Sequence, residues 1–368
     1  MAIRFAQALG FHRECVNQSL PPRERLLRRR LWRTLYIHDR FHSAALGRPS
    51  AIKDEDWDDR EPSDNAEEDR LQVEMTQIAH ILGDICGEVY RRRTISSQAA
   101  SALARRLQHW SDNLPENLSI HSLLRNKSLP SWNRHALSRL HMAHLNAIIL
   151  LSRPFFFFVV ATAVTSQTPS SIPPRGNARS TVARLARACV LAASRSVEMV
   201  QTLFVDNARP ARPPFLIYFM FLAGLILLLE AYRDKSFLRN PSITSVKIIM
   251  RAYVDLDPSA KRFYRIFEDM ETAIRDDHEK RETLQARDIL GELLSGNSMI
   301  GDHSLSDSVP DTRSPRDLGL SQFMLDSSLL NPNMEGDGFN FDFDNISYWE
   351  SMVAGGWDFD GMLFNPEL

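Results

Sequence analysis

The feature that most constrains the fold is an uninterrupted apolar run over residues 215–229, which ends at Glu230. A membrane-spanning helix needs about 20 apolar residues, whereas a run of about 10 to 14 residues is typical of a helix buried in a protein core. The run has 15 residues, between these lengths, and a second apolar run over residues 155–164 is shorter. Both runs therefore favour buried core helices over membrane spans.

Helical periodicity extends along the chain to about residue 294, and no segment alternates as a strand would. It predicts helices over residues 24–45, 71–93, 97–113, 132–152, 181–204 and 215–229, and two more within 243–294, separated by breaks that are mostly rich in Pro or Gly. The predicted fold class is all-α, with about eight to eleven helices. After residue 295 the composition shifts to Ser, Gly, Asp and Asn, which predicts a helical domain over residues 1–294 and a disordered tail over 295–368.

The first long helix has two contrasting faces. Three leucines recur every four residues and predict its buried face: Leu27, Leu31 and Leu35. Arginines share the opposite face and are predicted to be solvated: Arg25, Arg29, Arg33 and Arg40. The alternative for this basic face is a nuclear import signal or a set of phosphate contacts.

Asp39 falls on the apolar side of the same helix, close to Trp32 on the helical wheel. A carboxylate in that position is costly unless it is paired, so we expect an ion pair with an arginine, and Arg48 is the nearest candidate after the helix ends. A catalytic role is the alternative, but a single carboxylate with no recognisable catalytic motif around it is weak evidence for it.

The sequence offers little support for catalysis or metal binding. The three cysteines, Cys15, Cys86 and Cys189, are far apart and form no CxxC pair. His135, His141 and His144 lie on one helix, but they lack the further ligands that a zinc site needs. No nucleotide-binding or hydrolase motif is present. We therefore predict a non-enzyme whose sequence includes no catalytic, cofactor-binding or metal-binding residue.

Two segments resemble the regulatory (middle homology) domain of fungal zinc binuclear cluster transcription factors. The first runs from Arg29-Arg30-Leu31-Trp32 through Tyr36 and Asp39-Arg40 to Gly47-Arg48-Pro49 and an acidic stretch that begins at Asp54. The second extends from Leu140-His141 to Arg153-Pro154-Phe155. The resemblance covers roughly residues 1–290 with the all-α pattern. It assigns structural roles to its signature residues: Trp32, Asp39, Arg40, Gly47, Arg48, Pro49, Arg153 and Pro154.

The resemblance implies a nuclear regulator of RNA polymerase II transcription in a fungus. In that family a separate N-terminal module reads DNA, with six cysteines that hold two zinc ions. This sequence lacks such a cysteine cluster. Zinc and DNA are therefore expected only through a module that this chain does not include, so the regulatory domain is expected to be N-terminally incomplete. A homodimer is compatible with the resemblance, and no membrane partner is expected.

Two other functions stay open at this point. A zinc-cluster-lacking helical partner, or a corepressor-like protein without direct DNA binding, would explain the missing cysteines. A membrane-associated protein would use the two apolar runs. The net charge of −2 argues against electrostatic DNA binding by the chain alone.

The C-terminal end has the composition of an activation segment. No Lys or Arg follows Asp317, and residues 331–368 contain eight acidic and eight aromatic side chains. Mutual repulsion of the carboxylates keeps the aromatic rings accessible, and such segments fold partly on a coactivator groove. The aromatic residues expected to contact transcription coactivators are Phe339, Phe341, Phe343, Trp349, Trp357 and Phe359.

Overall fold

The computed structural model describes residues 1–58, 67–91, 94–125, 129–165, 177–205 and 214–295, and the backbone of 338–340. These residues form eleven α-helices, which confirms the all-α prediction. The helices are α1 (Ala2–Ala8), α2 (Glu14–Asn17), α3 (Pro22–Leu46), α4 (Glu67–Ile85), α5 (Ser97–Asp112), α6 (Ile120–Arg125), α7 (Ser131–Thr165), α8 (Asn177–Val205), α9 (Pro214–Arg233), α10 (Pro241–Arg251) and α11 (Pro258–Ser295). The predicted disorder of residues 295–368 concerns a region that, beyond Ser295 and this short stretch of backbone, lies outside the described residues.

Shorter elements join the helices. Three 3₁₀ turns cover Asp54–Asp56, Glu116–Leu118 and Lys235–Arg239, and a π-helical turn, Cys86–Arg91, continues α4. Two three-residue strands, β1 (Thr94–Ser96) and β2 (Gly338–Asn340), pair antiparallel, an element that the sequence pattern did not predict. Three residues are too few for a period-two pattern to be recognised.

The helices fall into two compact units. The first contains α1 to α6, the part of α7 that ends at Phe157, and α8. The second contains the rest of α7 and α9 to α11. The domain boundary at residue 294 stays a prediction, but the helical region before it comprises two units where the sequence suggested one.

The orientation of α3 differs from the prediction. Its buried face carries Trp32, Arg33, Tyr36, Arg40 and Phe41. The leucine stripe faces outward, with Leu27 56% and Leu31 44% exposed. Each aromatic side chain buries about 150–250 Å², more than a leucine can, so the aromatic stripe turns towards α4. The arginines at 33 and 40 are drawn inside with it because they share that face.

Helix α7 runs without a break through Pro154, where the sequence predicted a boundary. Proline has no N–H, so the carbonyl of Leu150, four residues earlier, loses its helical donor. The hydroxyl of Tyr90 donates to this carbonyl at 2.7 Å. The Arg153 guanidinium lies over the Tyr90 ring, 5.1 Å from its centroid. One side chain from the π-helical turn therefore compensates for the proline and contacts the arginine beside it.

Helix α9 contains the long apolar run and forms the centre of the second unit. It packs against α10 and α11, and Phe221 stacks on Phe263 with 4.2 Å between ring centroids. A Cβ on Gly224 would lie 2.6 Å from the Phe267 ring, so glycine permits this close packing. In the described residues, two segments are long and apolar enough to cross a membrane, Ser131–Ala163 and Phe215–Arg233, and they are 61% and 78% buried within the protein. Core packing accounts for the apolarity of the second segment.

The Tyr90 hydrogen bond leads to a double-mutant prediction. We expect Tyr90→Phe to lower the free energy of unfolding by about 1–2 kcal/mol, because the Leu150 carbonyl loses its donor while the ring is retained. In a Pro154→Ala background, residue 154 can supply the helical N–H, so the same substitution should change stability by less than about 0.5 kcal/mol. Urea unfolding of the four variants measures this coupling. Equal losses in the two backgrounds would contradict the compensation of Pro154 by Tyr90.

Candidate regulatory site

The end of α3 and the turn that follows it are fixed by Asp39. Gly47 ends the helix in the left-handed conformation, with φ 61°, which glycine adopts without strain. The chain then folds back, and the Asp39 carboxylate accepts hydrogen bonds from the backbone N–H groups of Ala51 at 3.0 Å and Ile52 at 2.9 Å. The expected ion pair with Arg48 is wrong, since Arg48 is exposed and backbone donors satisfy the carboxylate instead.

Arg40 is the buried arginine that forms the ion pair. Its Nη2 lies 2.9 Å from the Asp54 carboxylate and its Nη1 donates to the Ser50 hydroxyl at 2.5 Å. The guanidinium also covers the ring of Tyr36 at 4.8 Å, and the Tyr36 hydroxyl donates to Asp54 at 2.6 Å. Gly83 of α4 leaves room for this side chain, because a Cβ there would lie 3.2 Å from the Arg40 Cδ and Nε atoms.

The ion pair continues across two more helices as the Arg40 cluster, which comprises Arg40, Asp54, His80, Asp84 and Arg106. The Nδ1 atom of His80 lies 3.4 Å from the Asp54 carboxylate, and its Nε2 atom lies 3.8 Å from Asp84. Arg106 of α5 closes the series at 2.7 Å from Asp84. The cluster thus connects α3, the 3₁₀ turn, α4 and α5 through two ion pairs that His80 joins.

The surroundings of Asp54 stabilise its ionised form. Burial alone would raise the pKa of this carboxyl, but hydrogen bonds from His80 and Tyr36 and the positive charge of Arg40 together hold the pKa well below its ordinary value. Burial and the hydrogen bond to Asp54 raise the pKa of the Tyr36 hydroxyl, so it stays a donor.

Metal binding is a weak explanation for this cluster. One ligand atom from each of Asp54, His80 and Asp84 lies within 4.8 Å of the others, which meets the spacing for a cation. However, each carboxylate already contacts a guanidinium, Asp54 from Arg40 and Asp84 from Arg106. A divalent cation would compete with these two fixed positive charges, so an ion-pair network is the better description.

A cavity of about 760 Å³, which we call the aromatic cavity, opens beside the Arg40 cluster. Residues from α3, α4, α5 and the 3₁₀ turn line it: Arg33, Tyr36, Asp54, Trp57, Val73, Glu74, Thr76, Gln77, His80, Ile81, Ala102, Arg105, Arg106, His109, Trp110 and Asn113. Small-molecule sites in proteins enclose about 300–1,000 Å³ and are largely apolar with a few polar groups. The volume and the lining of this cavity fit that description.

The described signature residues separate into buried and exposed groups. Trp32, Arg40 and Arg153 are buried, and Asp39 is half-buried. Gly47, Arg48 and Pro49 lie exposed on the turn, where their role is to reverse the chain. Arg153 and Pro154 lie on α7 and do not line the aromatic cavity.

The three histidines of α7 do not group with further ligands among the described residues. The Nε2 atom of His141 lies 2.9 Å from the Leu118 carbonyl oxygen, and His144 packs on Trp110 with 4.9 Å between ring centroids. Burial and the neighbouring His141 lower the pKa of His144 to about 4, so this ring is neutral at neutral pH. These contacts describe core histidines.

Sequence reasoning missed most of the site. His80, Asp84 and Arg106 were not singled out, because isolated charged residues at ordinary helical spacing give no pattern. Asp54 was noted only as the first residue of an acidic stretch. The six aromatic residues proposed for activation, Phe339, Phe341, Phe343, Trp349, Trp357 and Phe359, have side chains that lie outside the described residues.

Part of the chain matches a known domain family. Residues 1–122, which include the Arg40 cluster and all the residues that line the aromatic cavity, match the family described as fungal specific transcription factor domain. The chain is similar to this family over these 122 of its 368 residues. No solved structure matches it significantly.

The relatives that this chain matches are regulators or activators by name. The chain is 27% identical over 370 residues to Filamentous growth regulator 27 of Candida albicans, which covers 94% of this chain and 46% of the relative. It is 34% identical to the Acetamidase regulatory protein of Aspergillus oryzae, over 42% of this chain and 20% of the relative. Activator of stress genes 1 of Saccharomyces cerevisiae is 29% identical, over 43% of this chain and 18% of the relative. The chain thus spans less than half the length of each of these three relatives.

The turn that follows α3 gives a prediction about Asp39. Asp39→Ala removes an acceptor shared by two backbone donors and should lower the free energy of unfolding by about 2–3 kcal/mol. Arg48→Ala, at the partner expected from the sequence, should change it by less than about 0.5 kcal/mol because Arg48 is exposed. Urea unfolding decides between the two partners. A large loss for Arg48→Ala would favour the ion pair over the backbone contacts.

Asp54→Asn tests the Arg40 cluster. We expect a loss of about 1–3 kcal/mol, because the buried Arg40 loses its charged partner while the carboxyl position is partly open to water. Since the folded pKa of Asp54 is depressed, its stabilisation is present above the ordinary carboxyl pKa of about 4 and is lost as pH falls below that value. Unfolding measured at about pH 7 and about pH 3 should therefore show a smaller acid loss in Asp54→Asn.

Lys53→Ala is the matched control for this change. Lys53 and Glu55 flank Asp54 in the same turn and form a pair at 3.3 Å, with both side chains largely exposed. Its removal should change stability by less than about 1 kcal/mol. If Lys53→Ala were as damaging as Asp54→Asn, the buried pair would not be the stabilising element.

Proposed function

We propose that this chain is the regulatory and activation part of a zinc binuclear cluster transcription factor that controls RNA polymerase II transcription in a fungal nucleus. The observation that carries the proposal is the match of residues 1–122 to the fungal specific transcription factor domain. Relatives named as regulators or activators support it. The role requires no catalysis by this chain.

DNA and zinc belong to a different part of such a factor. The three cysteines lie at distant positions in the sequence and form no CxxC pair, so they do not supply a two-zinc cluster. The proposal assigns the helical units to regulation and residues 331–368 to contact with coactivators. DNA contact and zinc binding then come through a separate module. A homodimer would present two copies of the helical units.

The second candidate is a zinc-cluster-lacking partner that acts as a corepressor-like protein without direct DNA contact. The same cysteine spacing favours it. Tethering distinguishes the two roles, since an activator raises expression of a reporter when it is fixed to DNA, whereas a corepressor-like protein lowers it.

The decisive experiment fuses the full chain to a heterologous DNA-binding domain upstream of a reporter gene. We expect activation that is abolished when Phe339, Phe341, Trp349, Trp357 and Phe359 are replaced by alanine, since these rings would fill the coactivator groove. Replacing the tail carboxylates by amides should weaken activation, because the rings then collapse together.

Trp132→Ala is the matched control, because this tryptophan is 66% exposed and lies on α7, outside the tail. It should leave reporter activity unchanged. Silencing by the intact fusion would favour the corepressor-like role. Full activity after loss of the five tail aromatics would reject the activation segment.

A further inference from the structure

The aromatic cavity has rigid apolar walls. Trp57 and Trp110 are 8% and 5% exposed. The Trp57 ring packs on Tyr36 with 5.1 Å between centroids, and the Trp110 ring is held by a hydrogen bond from its Nε1 to Glu74 at 2.9 Å. Only small parts of the two indole rings are exposed to the cavity, and both rings are held in place before any molecule enters.

The charges that line the cavity favour an anion. The lining includes three arginines, Arg33, Arg105 and Arg106, and two carboxylates, Asp54 and Glu74. Asp54 is already balanced by Arg40 and Arg106 by Asp84, and neither Arg40 nor Asp84 belongs to the lining. Arg105, which makes no ion pair within the described part of the chain, then supplies the positive charge for an anion.

Arg105 is the residue most suited to contact a ligand. It lies on the exposed face of α5 at the edge of the cavity and makes no ion pair within the described part of the chain. A guanidinium that is planar and open to solvent can bind a carboxylate through two parallel hydrogen bonds. Arg106, in contrast, is engaged by Asp84.

We infer that the aromatic cavity binds a small aromatic carboxylate, with its ring against the tryptophan walls and its carboxylate on Arg105. Such a ligand contacts α3, α4, α5 and the 3₁₀ turn together, so its binding stabilises the arrangement that the Arg40 cluster holds. A role of this binding in the control of transcription rests on the proposed function. Binding itself is measured on the purified chain and does not depend on it.

The test is calorimetric titration of the full chain with 1-naphthoate. The neutral analogue 1-naphthylmethanol and inorganic phosphate are titrated in parallel. We expect saturable binding of naphthoate and binding at least about tenfold weaker for both comparison compounds, because each offers only one of the two features. If the alcohol bound as tightly as naphthoate, the inferred recognition of a carboxylate would be wrong. If phosphate bound as tightly, the inferred recognition of an aromatic ring would be wrong.

Two pairs of variants locate the site. Arg105→Ala removes the carboxylate contact, and Ala102→Trp fills the cavity from an exposed position of α5, so both should weaken naphthoate binding at least about tenfold. Arg23→Ala and Gln108→Trp make the same changes at exposed positions outside the lining and should bind as the parent does. Melting temperatures confirm that all four variants fold. Full binding by Ala102→Trp would overturn the inference, whatever the reporter fusion shows.

Discussion

The ion pair between Arg40 and Asp54 is the interaction on which the described geometry of the site depends. A buried guanidinium requires a partner, and Asp54 reaches it only when the chain reverses directly after α3. That reversal is itself set by Asp39, which binds two backbone N–H groups of the returning chain. The two adjacent residues thus have different roles: Asp39 binds backbone N–H groups, and Arg40 binds a carboxylate.

The same pair accounts for the orientation of α3 and for the position of the aromatic cavity. Arg40 lies on the face with Trp32 and Tyr36, so neutralising its charge allows the whole aromatic stripe to be buried. The cluster extends to α4 through His80 and Asp84 and to α5 through Arg106. The cavity lies where these helices meet, and polar groups of the cluster form part of its wall.

Local patterns predicted the helices well, and long-range contacts explain the errors. Helical periodicity and breakers such as Gly47 are local, so the all-α class and most helix positions follow from them. The buried face of α3 depends on Asp54, and a helical wheel contains no information about a partner beyond the helix. The passage of α7 through Pro154 depends on Tyr90, whose hydroxyl reaches a carbonyl 60 positions further along the chain. Such contacts leave no periodic signal.

The double fixation of the turn restricts which changes in chain length the domain can tolerate. Asp39 sets the position of residues 51 and 52, and Arg40 sets the position of residue 54. The number of residues between Gly47 and Asp54 is therefore fixed. A single residue inserted between Gly47 and Asp54 would separate the Asp54 carboxylate from the Arg40 guanidinium. An insertion between Asp58 and Glu67 would leave the chain from Asp39 to Asp54 unchanged. In homologous proteins, insertions and deletions should therefore be found after the 3₁₀ turn and should be rare between Gly47 and Asp54.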